Sequence, residues 1–198
     1  NMENARIDNV YISGCTARGF SIESNSMQSK NHVLIGLHIA ECGECGIFLQ
    51  SGSFSTLDLQ VTSCPTAIYT VQPSDTIVLV ASQSENCGRF LDTSGGGSEN
   101  PQQIMIIGGR LDTSAMAQDG EFIRLTNGGT YELQGVQFGG PSDSFRILCG
   151  TSENGSRLIV RGCLFPNGAP FAAGQGRAVV ESRGNRAYGG SYTVINPM

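Results

Sequence analysis

Short β-type runs recur along the chain at intervals of 20 to 27 residues, and this repeat restricts the fold more than any other feature of the sequence. A second apolar run follows each first run, and a third short pattern that starts at a glycine lies between the two in the later repeats. A fixed period of about 20–50 residues is typical of solenoids and related arrays. The first runs are anchored at Val10, Val33, Leu57, Ile77, Ile104, Tyr131 and Leu158.

The type of unit indicates which solenoid the chain forms. The runs are short, rich in β-branched residues and apolar at alternate positions, and clusters of Gly, Ser, Asn and Asp separate them, as in strands and turns. No stretch has a sustained helical period, and a propeller blade needs about 40–50 residues and four strands. We therefore predict an all-β parallel β-helix of about seven coils, with residues 1–198 forming one domain.

The repeat reads apolar-x-apolar-x-Gly, a turn, and then Gly-apolar-x-apolar, and it covers nearly all of the chain. This pattern resembles the right-handed parallel β-helix superfamily, most of all the domains of phage tailspikes and tail fibres, and also pectate lyases and polygalacturonases. The resemblance implies a virion component of a phage tail, folded in the host cytoplasm, that binds a host cell-surface polysaccharide; secretion is the alternative. Many unrelated activities share one fold, so the motif predicts the fold more directly than the function.

Charge and hydropathy exclude two classes of partner. The chain has 12 Lys and Arg against 17 Asp and Glu, a net charge of −5, and Lys30 is its single lysine. Binding to nucleic acid needs a basic face, so we expect no nucleic-acid partner. No run of about 18 apolar residues is present, so we expect no insertion into a membrane.

The seven cysteines are an odd number without tight spacing, which is a poor framework for disulfides. We expect them to be reduced and buried, as in a protein folded in a cytosol. The phase of five of them relative to the second runs predicts a stacked ladder in the core: Cys15, Cys42, Cys45, Cys64 and Cys87. Cys42 and Cys45, with His38 nearby, are too few ligands for a structural zinc site, so no metal or other cofactor is predicted.

Alternation in the first runs predicts one apolar column inside the solenoid and a second outside it. The inward pairs are taken as Val10/Ile12, Val33/Ile35, Ile77/Leu79, Ile104/Ile106 and Leu158/Val160. The outward column is then Tyr11, Leu34, Val78, Met105 and Ile159, interrupted by Asp58 and Glu132. A parallel sheet that is apolar on both faces is normally covered on both.

No helix is available as the cover, so we expect a homo-oligomer, and the tailspike resemblance implies a homotrimer. A long loop or a terminal segment outside this chain is the alternative cover. Solenoids need caps at both ends, and neither end offers an amphipathic cap. We therefore expect the chain to be a piece of a longer protein, or to be capped by the remainder of that protein or by other virion proteins.

The second runs predict a ligand-binding ridge. Its outward column would carry Phe48, Tyr69 and Phe90, followed by Arg124 and Arg146. Aromatic faces pack on the apolar faces of sugar rings, and Arg or carboxylate groups bind hydroxyls or acidic groups. The alternative is that these aromatics pack under loops or in the oligomer interface, with Arg stacked on them. A register slip of one residue would reverse every side chain.

Candidate catalytic groups are the carboxylates near the same column: Asp92, Asp119 and Glu121, with Asp112 as a further candidate. Glycosidases need two carboxylates about 5–9.5 Å apart, and stacked coils about 4.8 Å apart form such pairs easily. The Asn-Thr-Asp, double-Asp and Gly-His-Gly motifs of polygalacturonases are missing, as is the calcium-binding cluster of pectate lyases. Whether the chain is a depolymerase therefore stays open. The other two hypotheses are a free-standing polysaccharide lyase or glycoside hydrolase, and a structural shaft or trimerising spacer without activity.

Overall fold

The computed structural model confirms a parallel β-helix. It describes residues 4–23, 31–71, 76–95, 102–112, 119–126, 128–140, 147–149, 156–166, 170–174, 178–188 and 193–195. The described residues form 24 strands in three parallel sheets of eight strands, and each coil contributes one strand to each sheet in turn. The fold thus has one coil more than the seven repeats of the sequence, because β22 to β24 form an eighth coil after the last repeat.

The three sheets run along the solenoid with every third strand as a neighbour. Sheet 1 contains β1 (Arg6–Asp8), β4 (Asn31–Ile35), β7 (Ser53–Leu57), β10 (Thr76–Val80), β13 (Gln102–Ile107), β16 (Gly129–Gln134), β19 (Ser156–Arg161) and β22 (Val179–Arg183). Sheet 2 contains β2 (Tyr11–Ser13), β5 (His38–Ala40), β8 (Gln60–Thr62), β11 (Gln83–Glu85), β14 (Arg110–Asp112), β17 (Gln137–Gly139), β20 (Leu164–Phe165) and β23 (Arg186–Ala187). Sheet 3 contains β3 (Arg18–Ile22), β6 (Cys45–Leu49), β9 (Thr66–Thr70), β12 (Arg89–Asp92), β15 (Ile123–Leu125), β18 (Ile147–Cys149), β21 (Pro170–Gly174) and β24 (Thr193–Ile195).

The turn from sheet 1 to sheet 2 is built the same way in every coil. One residue there has a left-handed backbone, and its amide continues the ladder by donating to the next coil, as Ala81 does to the Ile107 carbonyl at 2.9 Å. Glycine adopts this conformation without steric cost, which explains why it recurs in the repeat. These residues, with φ between 54° and 63°, are Asn9, Gly36, Asp58, Ala81, Gly108, Gly135, Gly162 and Gly184.

Exchanging residues at two equivalent turn positions is expected to shift stability in opposite directions. Gly108→Ala should lower the free energy of unfolding by about 1 kcal/mol, because a Cβ in the left-handed region is strained. A Cβ at Gly108 would meet nothing within 4 Å, so conformation alone sets the effect. Ala81→Gly should raise that free energy by about 0.5 kcal/mol, since relief of strain exceeds the entropy gained by the unfolded chain. Urea unfolding checks both values, and the account of the turn fails if the two shifts share a sign.

The core is a set of side-chain ladders that run along the solenoid axis. Phe138 stacks on Phe165 of the next coil, with ring centroids 5.0 Å apart and planes 11° apart. All seven cysteines are free, and six of them are buried. The Cys42 thiol donates to the Ala40 carbonyl at 3.5 Å, and burial raises its pKa to about 12. Burial of the thiols is therefore confirmed for six of the seven cysteines, with Cys15 only partly buried.

The stacked cysteines lie at the turn between sheets 2 and 3. A residue with positive φ precedes each of its four members, so the thiols occupy one repeated position. Cys45 was expected in the same stack and instead lies within β6. The ladder members are Cys15, Cys42, Cys64 and Cys87.

The expected inward column is correct in the middle coils and wrong in β4. Leu34 is fully buried and Val33 is 40% exposed, the reverse of the expectation. Leu34 pairs with Ile7 and with Thr56 because the turn at Gly36 stacks on the turns before and after it, and that stacking sets the phase of the strand. Two other members of the expected outward column also lie elsewhere: Tyr11 belongs to sheet 2 and Asp58 is a turn residue.

Sheet 1 nevertheless carries an apolar outer surface. Along each strand of sheet 1, the outward side chains alternate with the buried ones. Strand pairing aligns the outward side chains from coil to coil, and Glu132 interrupts them as expected. We name this surface the apolar face. Its members are Val33, Ile35, Leu57, Val78, Val80, Met105, Ile107 and Ile159.

Candidate functional site

The predicted ridge lies on the outer face of sheet 3, with one change of register. Strand pairing aligns Phe48 with Tyr69, Tyr69 with Asp92 and Asp92 with Arg124. Asp92 therefore takes the position that the sequence had given to Phe90. The side chains of this column lie next to one another because adjacent strands of a parallel sheet are about 4.8 Å apart.

Phe90 lies inside the solenoid, so it is not part of an outward ridge. It is fully buried, and its ring stacks on Phe122 of the next coil at 6.3 Å. Arg146 falls outside the described residues. Of the five residues predicted to bind a carbohydrate, Phe48, Tyr69 and Arg124 share the outer face of sheet 3.

Phe48 is on the outer face but is covered. The Arg18 guanidinium carbon lies 3.4 Å from the centroid of the Phe48 ring, and the Tyr69 ring packs at 6.1 Å, so Phe48 is only 7% exposed. Glu23 and Glu44 hold Arg18 at 2.9 Å and 3.4 Å. This arrangement matches the alternative in which an arginine stacks on the aromatic column.

A cavity of about 220 Å³ opens beside this stack. Tyr69 is half-buried at its wall, Asp92 lies at one end and Arg18 at the other. We name it the sheet 3 pocket. Its lining combines an aromatic ring, a cation and carboxylates, and it consists of Arg18, Glu44, Cys45, Phe48, Thr66, Tyr69 and Asp92.

The three predicted catalytic carboxylates are brought together next to this pocket by two arginines. The Arg89 guanidinium donates to both Asp92 and Asp119, and its Nε donates to the Glu121 carbonyl at 3.1 Å. Arg124 donates to Glu121 and Asp119, and its Nη1 lies 3.9 Å from Asp92. We name these five residues the ion cluster.

The ion cluster lowers the pKa of one of its carboxylates, Asp119. Burial raises the pKa of Asp119, but the hydrogen bonds from Arg89 and from the Glu121 amide, together with the charges of Arg89 and Arg124, outweigh burial and lower that pKa. A general acid for glycoside cleavage needs a raised pKa. The geometry of the ion cluster therefore favours a structural or binding role over acid catalysis.

The remaining sequence candidates lie apart from the ion cluster. Asp112 belongs to β14 on sheet 2. Within the described ranges, no group of three or more His, Cys, Asp or Glu residues could hold a metal ion. The same ranges contain no helix long and apolar enough to cross a membrane.

Sequence reasoning missed Arg18 and Arg89, although a local signal for Arg89 exists. Arg89 precedes Asp92 by three residues, and Glu121 precedes Arg124 by the same spacing. In both cases one ion pair lies within a short segment of a single coil. The contacts between coils, from Arg89 to Asp119, have no such signal.

The fold places the chain among all-β proteins built as parallel β-helices. No family model matches it, and comparison with curated proteins and with solved structures finds no match.

Proposed function

We propose that this chain is a tailspike-like component of a phage virion and that it binds a host surface polysaccharide at the sheet 3 pocket. The observation that carries the proposal is the combination of Tyr69, Arg18 and Asp92 around one cavity. The partly exposed ring of Tyr69 offers a surface for a sugar ring, and the two charged groups offer hydrogen bonds to hydroxyls.

Binding rather than cleavage is the activity proposed for this site. Each carboxylate of the ion cluster is already paired with Arg89 or Arg124, and the pKa of Asp119 is lowered. A polysaccharide depolymerase would need one protonated carboxyl group and one free carboxylate at the scissile bond. The ion cluster instead supports the pocket by fixing Asp92 at its end.

Tyr69→Ala is expected to weaken polysaccharide binding at least tenfold, because it removes the one partly exposed aromatic ring of the pocket. The measurement uses the labelled chain on an array of immobilised bacterial surface polysaccharides. Tyr69→Phe is the matched control, since it keeps the ring and should keep most of the affinity. The proposed site is refuted if Tyr69→Ala binds like the wild type, and the proposed function is refuted if the wild type binds no polysaccharide.

We also propose that the apolar face joins copies of this chain in a homotrimer. Three apolar side chains of this face are exposed in the single chain: Val33 at 40%, Leu57 at 48% and Met105 at 37%. Ion pairs border the face at both ends: Arg6 with Asp8 at 2.9 Å in the first coil, and Arg161 with Glu132 at 3.3 Å in the later coils. An apolar centre with a polar rim is the usual anatomy of an interface between protein subunits.

Val78→Asp is expected to convert the trimer into a monomer, because it places an unpaired carboxylate at the centre of the apolar face. Light scattering on a sizing column measures the change as a threefold fall in mass. Thr130→Asp, on the same outer face but at an exposed rim position, is the control and should keep the wild-type mass. A Val78→Asp protein that retains the oligomeric mass would place the interface elsewhere.

A further inference from the structure

The outer face of sheet 2 differs from the other two faces in the type of large apolar side chain that it exposes. Among the large apolar side chains that are exposed in the described residues, four lie on sheet 1 and all four are aliphatic. The other two are tyrosines, and both lie at sheet 2: Tyr11 in β2, 64% exposed, and Tyr188 just after β23, 44% exposed. Exposed aromatic rings are the groups that pack on sugar rings, whereas aliphatic side chains are not.

A groove lined by polar and charged residues lies on the same face, next to the Tyr11 end of sheet 2. Strand pairing places the side chains of its first column in successive coils, starting from Tyr11. The groove has a volume of about 360 Å³ and crosses β5, β8, β11 and β14. Three strand spacings of about 4.8 Å give it a length of about 14 Å. It is lined by His38, Gln60, Thr62, Gln83, Ser84, Glu85, Arg110 and Asp112.

His38 supplies a polar atom that lacks a partner at the end of this groove. Its Nε2 is buried and has no hydrogen-bond partner among the described residues. The Tyr11 ring packs edge-on against the imidazole with centroids 4.9 Å apart. A buried polar group without a partner is unfavourable, so a ligand hydroxyl that reached this nitrogen would be stabilising.

The chemistry of the groove excludes two classes of ligand. Glu85 and Asp112 give it two carboxylates against one guanidinium, Arg110, and the chain carries a net charge of −5, so a polyanion would be repelled. A peptide that extends a sheet must bond to free backbone groups at a sheet edge, and the strands of this groove already pair on both sides. What remains is an uncharged chain with many hydroxyls.

We propose that the groove of sheet 2, with Tyr11 as its stacking platform, is a second binding site for a polysaccharide and that its ligand is an uncharged saccharide chain lying along the solenoid axis. Gln60 and Gln83 present carboxamides from neighbouring coils, which both donate and accept hydrogen bonds to hydroxyls. The inference takes its ligand class from the proposed function but uses none of the residues of the sheet 3 pocket.

The test uses the whole labelled chain on an array of neutral and acidic bacterial surface polysaccharides. Tyr11→Ala and Gln83→Ala should each weaken binding to a neutral polysaccharide at least tenfold, while the control Thr130→Ala, at an exposed position on sheet 1, leaves that signal in place. Tyr69→Ala is measured in parallel. Both Tyr11 and Gln83 are exposed, so neither change disturbs the core. Binding should also change little between low and high salt, because no charge on the ligand is involved.

The outcomes separate this inference from the proposed function. A neutral-polysaccharide signal that falls only in Tyr69→Ala refutes the groove and leaves the sheet 3 pocket. A signal that Tyr11→Ala and Gln83→Ala leave unchanged, or one confined to acidic polysaccharides, also refutes the groove. A wild-type chain that binds no polysaccharide refutes both.

Discussion

Replacing Arg89 with methionine is expected to lower the free energy of unfolding by about 3–5 kcal/mol, the usual cost of removing one partner of a buried ion pair. Arg89 and Asp92 are only 8% and 4% exposed, and Arg89 also holds Asp119 and the Glu121 carbonyl. The variant would leave the Asp92 carboxylate buried, with Arg124 at 3.9 Å as its remaining charged partner. Urea unfolding, followed by circular dichroism, measures the loss.

Two further variants test whether the buried charge is the cause. Arg6→Met removes an arginine from an exposed pair with Asp8 and should cost less than about 1 kcal/mol. Asp92→Asn in the Arg89→Met background should recover part of the loss, because it removes the unpaired charge. If Arg89→Met is as mild as Arg6→Met, the ion cluster is not a structural element of the fold.

Truncating Phe138 to alanine is expected to cost about 3–5 kcal/mol. Phe138 is fully buried in the core, and its ring stacks on Phe165, so the deletion leaves a cavity between two coils. Phe138→Leu keeps most of the volume and should cost less than half as much. Unfolding in urea measures both values, and a cost below about 1 kcal/mol for Phe138→Ala would mean that the coils close over the cavity.

The solenoid could be predicted from the sequence because each coil repeats the same turn. The glycines at 108, 135 and 162 all lie where the chain leaves sheet 1 with a positive φ, and they recur at the period of the coils. Strand stacking converts a sequence period into a spatial one, so the period alone indicates the fold.

The strand registers were harder to predict than the fold. Val33, Leu34 and Ile35 are all apolar, so alternation gives no preference between the two phases, and the turn at Gly36 decides it. Phe90 and Leu91 pose the same difficulty in β12, where both side chains are buried. The pairing of β12 with β9 is displaced by two residues from the expected alignment, so Asp92 instead of Phe90 lies beside Tyr69, and Phe90 packs on Phe122 in the core.

The sequence indicated the carboxylates of the candidate site but not the arginine contacts that hold them together. Asp92, Asp119 and Glu121 do lie together, because Asp92 ends β12 while Asp119 and Glu121 precede β15, the neighbouring strand of sheet 3. Arg89 contacts Asp119 from a distance of 30 residues along the chain, and that contact exists only once the coils are stacked. Sequence patterns therefore could not predict which arginine pairs with which carboxylate.

We propose that the three faces of the solenoid have separate roles: sheet 1 joins copies of the chain, while sheets 2 and 3 bind a ligand. The most direct test is the mass of the purified wild-type chain in solution, measured by light scattering behind a sizing column. The account predicts a stable trimer of about three times the 20.9 kDa of one chain. A single species of 20.9 kDa would contradict it, because the apolar face would then be left uncovered in solution.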